Sequence, residues 1–177
     1  MTTSPHRPIP ESYWVIPGQF LAGEYPGSWD HERTRQRMDL FLDAGFNTFV
    51  DLTSEGELLL YSPILTAQAG LYNISATHLR FSIGDFGTPT IDHMKKILDT
   101  LDQSLKDGRK VYIHCWGGVG RTGTTIGCYL VRHGKPGEEA LAQLADWWQH
   151  VPKHSLHPRS PETDEQVKFI LDWKTGQ

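Results

Sequence analysis

Cysteine is scarce in this 177-residue chain, which holds only Cys115 and Cys128. Two thiols make no disulfide framework, and without a Cys-x-x-Cys pair they offer no zinc or dithiol redox motif. Each has to be read singly. Long apolar runs are also missing: no stretch approaches the roughly 20 apolar residues of a membrane span, and the opening MTTSPHRPIPES lacks the apolar centre of a signal peptide. The chain therefore reads as cytoplasmic, with no membrane partner. Nor is there an excess of positive charge. Seventeen Lys and Arg against 21 Asp and Glu leave a formal net charge of −4, which gives no field to attract a nucleic-acid backbone, so no nucleic-acid partner is expected. Any phosphate that this chain handles has to be captured by local geometry.

What is present suits a packed core. The hydrophobic fraction is 38%, with six Trp and seven Phe, enough for one folded domain over residues 13–177 and a monomer by default. Residues 1–12, with Pro5, Pro8 and Pro10, read as a flexible lead-in. YWVI and QFLAG flank the turn signal Pro17-Gly18 and predict an edge hairpin. Asp30 caps a helix carrying Met38, Phe41 and Leu42 at helical spacing, closed by Gly45. FNTFVDL predicts a strand, residues 55–68 a helix interrupted by Pro63, and HLRFSI another strand broken by GDFGTP. Thr90 caps a helix whose apolar face is Ile91, Met94, Ile97, Leu98, Leu101 and Leu105. Strand KVYIHC follows, then a glycine-rich turn into a helix, with further helices at 137–150 and 162–174. Strands alternating with helices give an α/β fold: a central, mostly parallel twisted sheet of about five strands flanked by helices, with a site at the carboxyl ends of the strands.

The informative stretch lies at one such end. In His114-Cys115-Trp116-Gly117-Gly118-Val119-Gly120-Arg121-Thr122, five residues separate a strand-end cysteine from an arginine that opens a helix. Three glycines let successive backbone N–H groups turn inward, and the helix presents its positive end to the same point, so residues 116–121 form a cradle for a tetrahedral phosphate. The same donors favour a thiolate at Cys115. Arg121 clamps two phosphoryl oxygens with its planar fork, Thr122 offers its hydroxyl to the sulfur, and His114 supports the loop. A free thiol is about 3% ionised at neutral pH, so full ionisation gains roughly thirtyfold, under about 2.5 kcal/mol. Most of the barrier therefore falls to Arg121 and the loop amides, which brace charge on the equatorial oxygens. No metal or cofactor is called for. A leaving oxygen needs a proton, and Asp85 in the GDFGTP loop, at another strand's exit, is the candidate donor. Asp92 is its rival, but its place in the first helical turn is already explained by the helix dipole.

At these residues the chain resembles the cysteine-dependent protein tyrosine phosphatase superfamily, in its compact dual-specificity branch. HCWGGVGRT matches the His-Cys, five residues, Arg-Ser/Thr signature, and the loop is most similar to that of cyclin-dependent-kinase-associated phosphatases. Asp85 stands thirty residues before Cys115, as that family's general acid does. SPETDEQVKF resembles the glutamine loop of larger tyrosine-specific relatives, which implies that Gln166 positions the hydrolytic water, although Glu162 stands where those relatives have glutamine. The resemblance implies a phosphatase-like fold and hydrolysis of phosphotyrosine, and of phosphoserine or phosphothreonine, in a phosphoprotein or phosphopeptide. No Lys or His lies within residues 116–120, unlike relatives that act on inositol phosphates, and this favours a protein substrate.

Other readings compete. Gly118-Val119-Gly120-Arg121-Thr122-Gly123 also fits a dinucleotide fingerprint, but too little chain follows for a second half-fold, and Arg121 occupies the lysine position of a nucleotide P-loop. A non-protein phosphate ester (phosphoinositide, nucleotide or RNA) is the alternative substrate, and a silent phosphate-binding module the alternative class. Arsenate reduction or sulfur transfer needs a resolving thiol, and Cys128 reads as core. His150, His154 and His157 have ligand-like spacing, but Pro152 and Pro158 break any single helix through them. Lys153 and Arg159 are candidates to border the pocket and attract a second charge on a substrate, but a solvated loop is the favoured reading of that segment.

Overall fold

The computed structural model describes residues 5–177. Its sheet has five strands in the order β1-β2-β5-β3-β4. Strand β1 (Ser12–Ile16) and β2 (Phe20–Gly23) form the expected edge hairpin, and β3 (Thr48–Asp51), β4 (Thr77–Arg80) and β5 (Val111–His114) all run parallel to β2. The mostly parallel α/β sheet read from the alternation of elements is the one observed. Parallel strands are covered on both faces, and alternate side chains serve the two sides. Leu21, Phe49 and Tyr112 point into a layer with α1 (His31–Asp43) and α2 (Ser62–Leu71). Phe20, Val50, Val111 and Ile113 face α3 (Ile91–Lys106), α4 (Gly120–Arg132), α5 (Gly137–Trp148) and α6 (Asp164–Asp172). Among the described residues no helix is long and apolar enough to cross a membrane.

Caps behave as their chemistry dictates. The Asp30 carboxylate accepts from the backbone N–H groups of Glu32 and Arg33, and the Thr90 hydroxyl accepts from His93 N. Three expectations change. Pro63 does not interrupt a helix but lies in the first turn of α2, where a missing N–H costs nothing; residues 55–61 precede the helix as a turn. Ile91, placed on the apolar face of α3, is exposed at its first position. The lead-in read as loose over residues 1–12 is packed where it is described: Ile9 is 2% exposed within the α1/α2 layer, Ser12 Oγ donates to Ile9 O, and Trp14 Nε1 donates to Pro5 O. Residues 1–4 of that lead-in lie outside the described residues.

Register sets up the site. Gly23, His114, Asp51 and Arg80 are paired neighbours across β2, β5, β3 and β4, so four parallel strands end in one row. The loops that leave this row carry the chemistry-bearing residues.

Candidate active site

Cys115 follows directly on β5 and is 3% exposed, at one wall of a cavity of about 350 Å³ that Trp116, Gly117, Val119, Gly120, Arg121, Asp85 and Phe86 also line. The loop turns through Gly118, whose φ of +75° lies in the left-handed region. A Cβ there would come within 2.5 Å of Gly23 C, so glycine is required by both conformation and space. Tyr25 N donates to Trp116 O and Ser160 Oγ to Val119 O, pinning the loop from outside. Helix α4 then starts with no side-chain cap. Its first N–H groups remain available at the cavity, the arrangement that binds anions.

Arg121 is 2% exposed, and its guanidinium is held in a fixed plane. Glu57 accepts from both ends of it, Nη1 at 2.9 Å and Nη2 at 2.7 Å, and Ile83 O accepts from Nη1 at 3.1 Å. Asp85 Oδ1 lies 3.1 Å from Nη2. Glu57 thus leaves Nε and one Nη2 hydrogen for an anion, and a carboxylate oxygen of Asp85 now stands at that edge. The Arg121 hydrogen bonds hold the Glu57 carboxyl below the usual glutamate range. Glu57 is absent from the residues singled out in the sequence. It sits in a polar turn 64 positions from Arg121, and no local pattern marks it.

Asp85 is brought beside Arg121 by a tight turn. Gly87 N donates to Gly84 O, and Phe86 takes φ of +57°, an unusual conformation for an aromatic residue. Gln166 closes this turn from below. Its Nε2 donates to Gly87 O, while its Oε1 accepts from Glu162 N and Thr163 N in a capping box that starts α6. The fully buried amide is therefore spent on structure, and the water-positioning role implied by resemblance has little hydrogen-bonding capacity left. Glu162 lines the cavity instead. Asp92, in the first turn of α3, takes no part in the cavity lining.

Thr122 Oγ1 is buried and has no hydrogen-bond partner among the described residues. The bond to the Cys115 sulfur expected from the sequence is not formed. Thr124 and Thr125 satisfy their hydroxyls on the carbonyls four residues earlier, Gly120 and Arg121. For Thr122 that carbonyl belongs to Gly118, before the helix begins, so the donor stays free beside the loop.

Beneath the cavity, His114 is fully buried. Its Nε2 lies 2.7 Å from Tyr61 Oη and its Nδ1 3.1 Å from Cys115 O. A carbonyl only accepts, so Nδ1 carries the proton and Nε2 accepts from Tyr61. Burial pushes the His114 imidazole down to about 4, which keeps it neutral. Asp51, next in the row, accepts from Thr53 N and Oγ1, His78 Nε2 and Arg80 Nη2. Burial alone would raise this carboxyl, but those donors outweigh it and hold it well below the usual range. Cys128 lies on α4 facing the core, where burial pushes its thiol up. His150 caps Asp146 O, His157 lines the cavity, and Arg159 pairs with Asp164 away from it. Lys153 borders the cavity, against the favoured reading of a solvated loop.

The family described as "polymorphic toxin system, DSP-PTPase phosphatase" matches residues 26–135, more than half of the chain and all of the cysteine loop. Mouse protein tyrosine phosphatase domain-containing protein 1 is 30% identical over 132 residues, covering 68% of this chain and 17% of the mouse protein. Tyrosine-protein phosphatase cdc-14 of Caenorhabditis elegans is 27% identical over 178 residues, covering 93% of this chain and 22% of its own. This chain thus spans only a minor part of both. The fold matches Tk-PTP in its active form, with a TM-score of 0.70 at 23% identity over 93% of this chain and 97% of that one. With the matched span enclosing the cysteine loop, the strand β5 before it and the helix α4 after it, the chain belongs to the dual-specificity branch of the protein tyrosine phosphatase superfamily.

Proposed function

We propose that this domain is a metal-independent protein phosphatase acting on phosphotyrosine, and on phosphoserine or phosphothreonine, through a cysteinyl-phosphate intermediate on Cys115. The observation that carries the reading is the meeting of Cys115, Arg121 and Asp85 in one cavity, with Asp85 Oδ1 3.1 Å from Arg121 Nη2. A phosphate dianion takes the Nε and Nη2 edge of Arg121 and the uncapped N–H groups of α4, displacing the Asp85 carboxylate, which takes a proton from solvent as it moves toward the leaving group. The Cys115 thiolate attacks phosphorus, and the P–O bond to the substrate breaks as Asp85 gives that oxygen its proton. Water then attacks the cysteinyl phosphate. Asp85 takes a proton from it, inorganic phosphate leaves, and the thiolate is restored.

Glu57 acts through Arg121, fixing the plane of its fork while phosphate charge builds up. Thr122 supplies a free hydroxyl that can turn to the sulfur as it leaves phosphorus. His114 donates to Cys115 O and so orients the loop's first peptide. None of these roles needs a resident metal, because fixed amides and one guanidinium neutralise the charge.

Purified protein with a chelator present should hydrolyse p-nitrophenyl phosphate and phosphotyrosine peptides. Cys115→Ser should lose this activity by at least about ten-thousandfold while still binding a phosphopeptide. Turnover persisting in Cys115→Ser would overturn the mechanism.

A further inference from the structure

A second hollow opens beside the catalytic cavity. It measures about 340 Å³ and is walled by the β2–α1 connection, α1 and the 3₁₀ turn Pro152–Ser155. Trp116 and Lys153 belong to both hollows, so the two share a rim. Three cations, Arg33, Arg37 and Lys153, face a single carboxylate, Glu24. Glu24 is already divided: Oε1 lies 3.1 Å from Arg37 Nη2 and Oε2 lies 2.7 Å from Lys153 Nζ. Arg33 has no ion-pair partner among the described residues and is exposed. A molecule of net charge −4 thus carries a local charge of +2 beside its catalytic cysteine. Trp29, 82% exposed, and Trp116, 56% exposed, stand at this hollow as large aromatic faces left in water.

Resting on the phosphatase reading, we propose that this hollow is a substrate subsite for a second negative charge: an acidic or phosphorylated side chain in a phosphopeptide, about two to three residues from the scissile phosphate. Adjoining hollows of this size are spanned by that length of extended chain, at roughly 3.3–3.6 Å per residue. The carboxylate or phosphate pairs with Arg33 and with the face of Lys153 turned from Glu24, while the peptide crosses Trp116 and rests against Trp29. Arg37 and Lys153 are half-buried there and so weakly screened, which raises the value of an anion that Arg33 meets at the open side. A nucleoside monophosphate places its base against Trp116 but leaves Arg33 and Trp29 unused. Docking on an anionic membrane is opposed by the overall negative charge. The peptide is the occupant that reaches Arg33, Lys153 and both exposed tryptophans together.

The test compares phosphotyrosine peptides that differ only in flanking charge. One set is neutral, one has Asp or Glu two and three residues from the phosphotyrosine, and one has a second phosphorylated residue there; p-nitrophenyl phosphate serves as the small substrate. Wild type should show kcat/KM about tenfold or more higher for the acidic and doubly phosphorylated peptides than for the neutral one, through KM, and added salt should shrink the difference. Arg33→Glu and Trp29→Ala should remove the preference while leaving p-nitrophenyl phosphate turnover within twofold. Equal kcat/KM for neutral and acidic peptides, or a preference that survives Arg33→Glu, overturns the subsite. A nucleotide or phosphoinositide preferred over every peptide, with that preference lost in Arg33→Glu, overturns the peptide as occupant. If wild type fails on p-nitrophenyl phosphate, the phosphatase reading has failed instead. The subsite then still stands or falls on whether acidic phosphopeptides bind wild type more tightly than neutral ones by calorimetry, and whether Arg33→Glu abolishes the difference.

Discussion

His114 ends β5 one residue before Cys115, and its protonation state decides whether Nε2 can accept from Tyr61 Oη, since Nδ1 donates to Cys115 O in either state. Burial depresses its imidazole from an ordinary value of 6.5 to about 4. Between those values the unfolded chain binds a proton that the folded chain refuses, so stability is fully present above about 6.5 and is lost as pH falls toward 4. The full difference corresponds to about 3 kcal/mol. The midpoint of urea unfolding should therefore drop from pH 7 to pH 4.5 in wild type, and the drop should be markedly smaller in His114→Gln, whose amide stays neutral throughout. Equal slopes in the two proteins would show that another group sets the acid sensitivity. Asp51 acts in a lower window. Its carboxyl is held below the usual range, so its contribution persists above about pH 4 and fades only beneath it.

At the scale of elements, Asp85, the proposed acid, is placed by two pieces of structure far apart in sequence. The Gly84–Gly87 turn supplies Asp85, and α6 fixes that turn through Gln166 Nε2 and Gly87 O. If Gln166 is a scaffold, Gln166→Ala should remove the capping box of α6, at a cost of about 1 kcal/mol, and loosen the position of Asp85. Phenyl phosphate, a poor leaving group, needs the proton from Asp85 more than p-nitrophenyl phosphate does. Its kcat/KM should fall about tenfold further. Were Gln166 instead the residue that orients water, the shared second step would suffer, and kcat would fall alike on both substrates.

For the whole molecule, legibility in the sequence follows the range of the interactions. The cysteine loop, the hairpin at Pro17-Gly18 and the Asp30 and Thr90 caps are local in chain and were readable as such. Glu57 on Arg121, Gln166 on Gly87 and Asp51 on His78 and Arg80 are meetings made by strand order, separated by 64, 79 and about 27 to 29 positions, and no periodicity announces them. Proline misled twice for one physical reason: a missing N–H is harmful inside a helix and harmless in its first turn or in an extended segment. Pro63 accordingly begins α2, and the Pro-rich stretch before β1 is a packed strap carrying Ile9 into the α1/α2 layer. This moves the working edge of the domain from residue 13 to about residue 5. Deleting residues 1–9 should expose the Ile9 site and free Trp14 Nε1, costing about 2–4 kcal/mol. With a shift of roughly 2–4 °C per kcal/mol for a chain of this size, the melting temperature should fall by about 5–15 °C, measured by thermal denaturation. Turnover of p-nitrophenyl phosphate at 25 °C should stay within twofold, since the strap lies on the face of the sheet opposite α4. An unchanged melting temperature would return the domain boundary to residue 13.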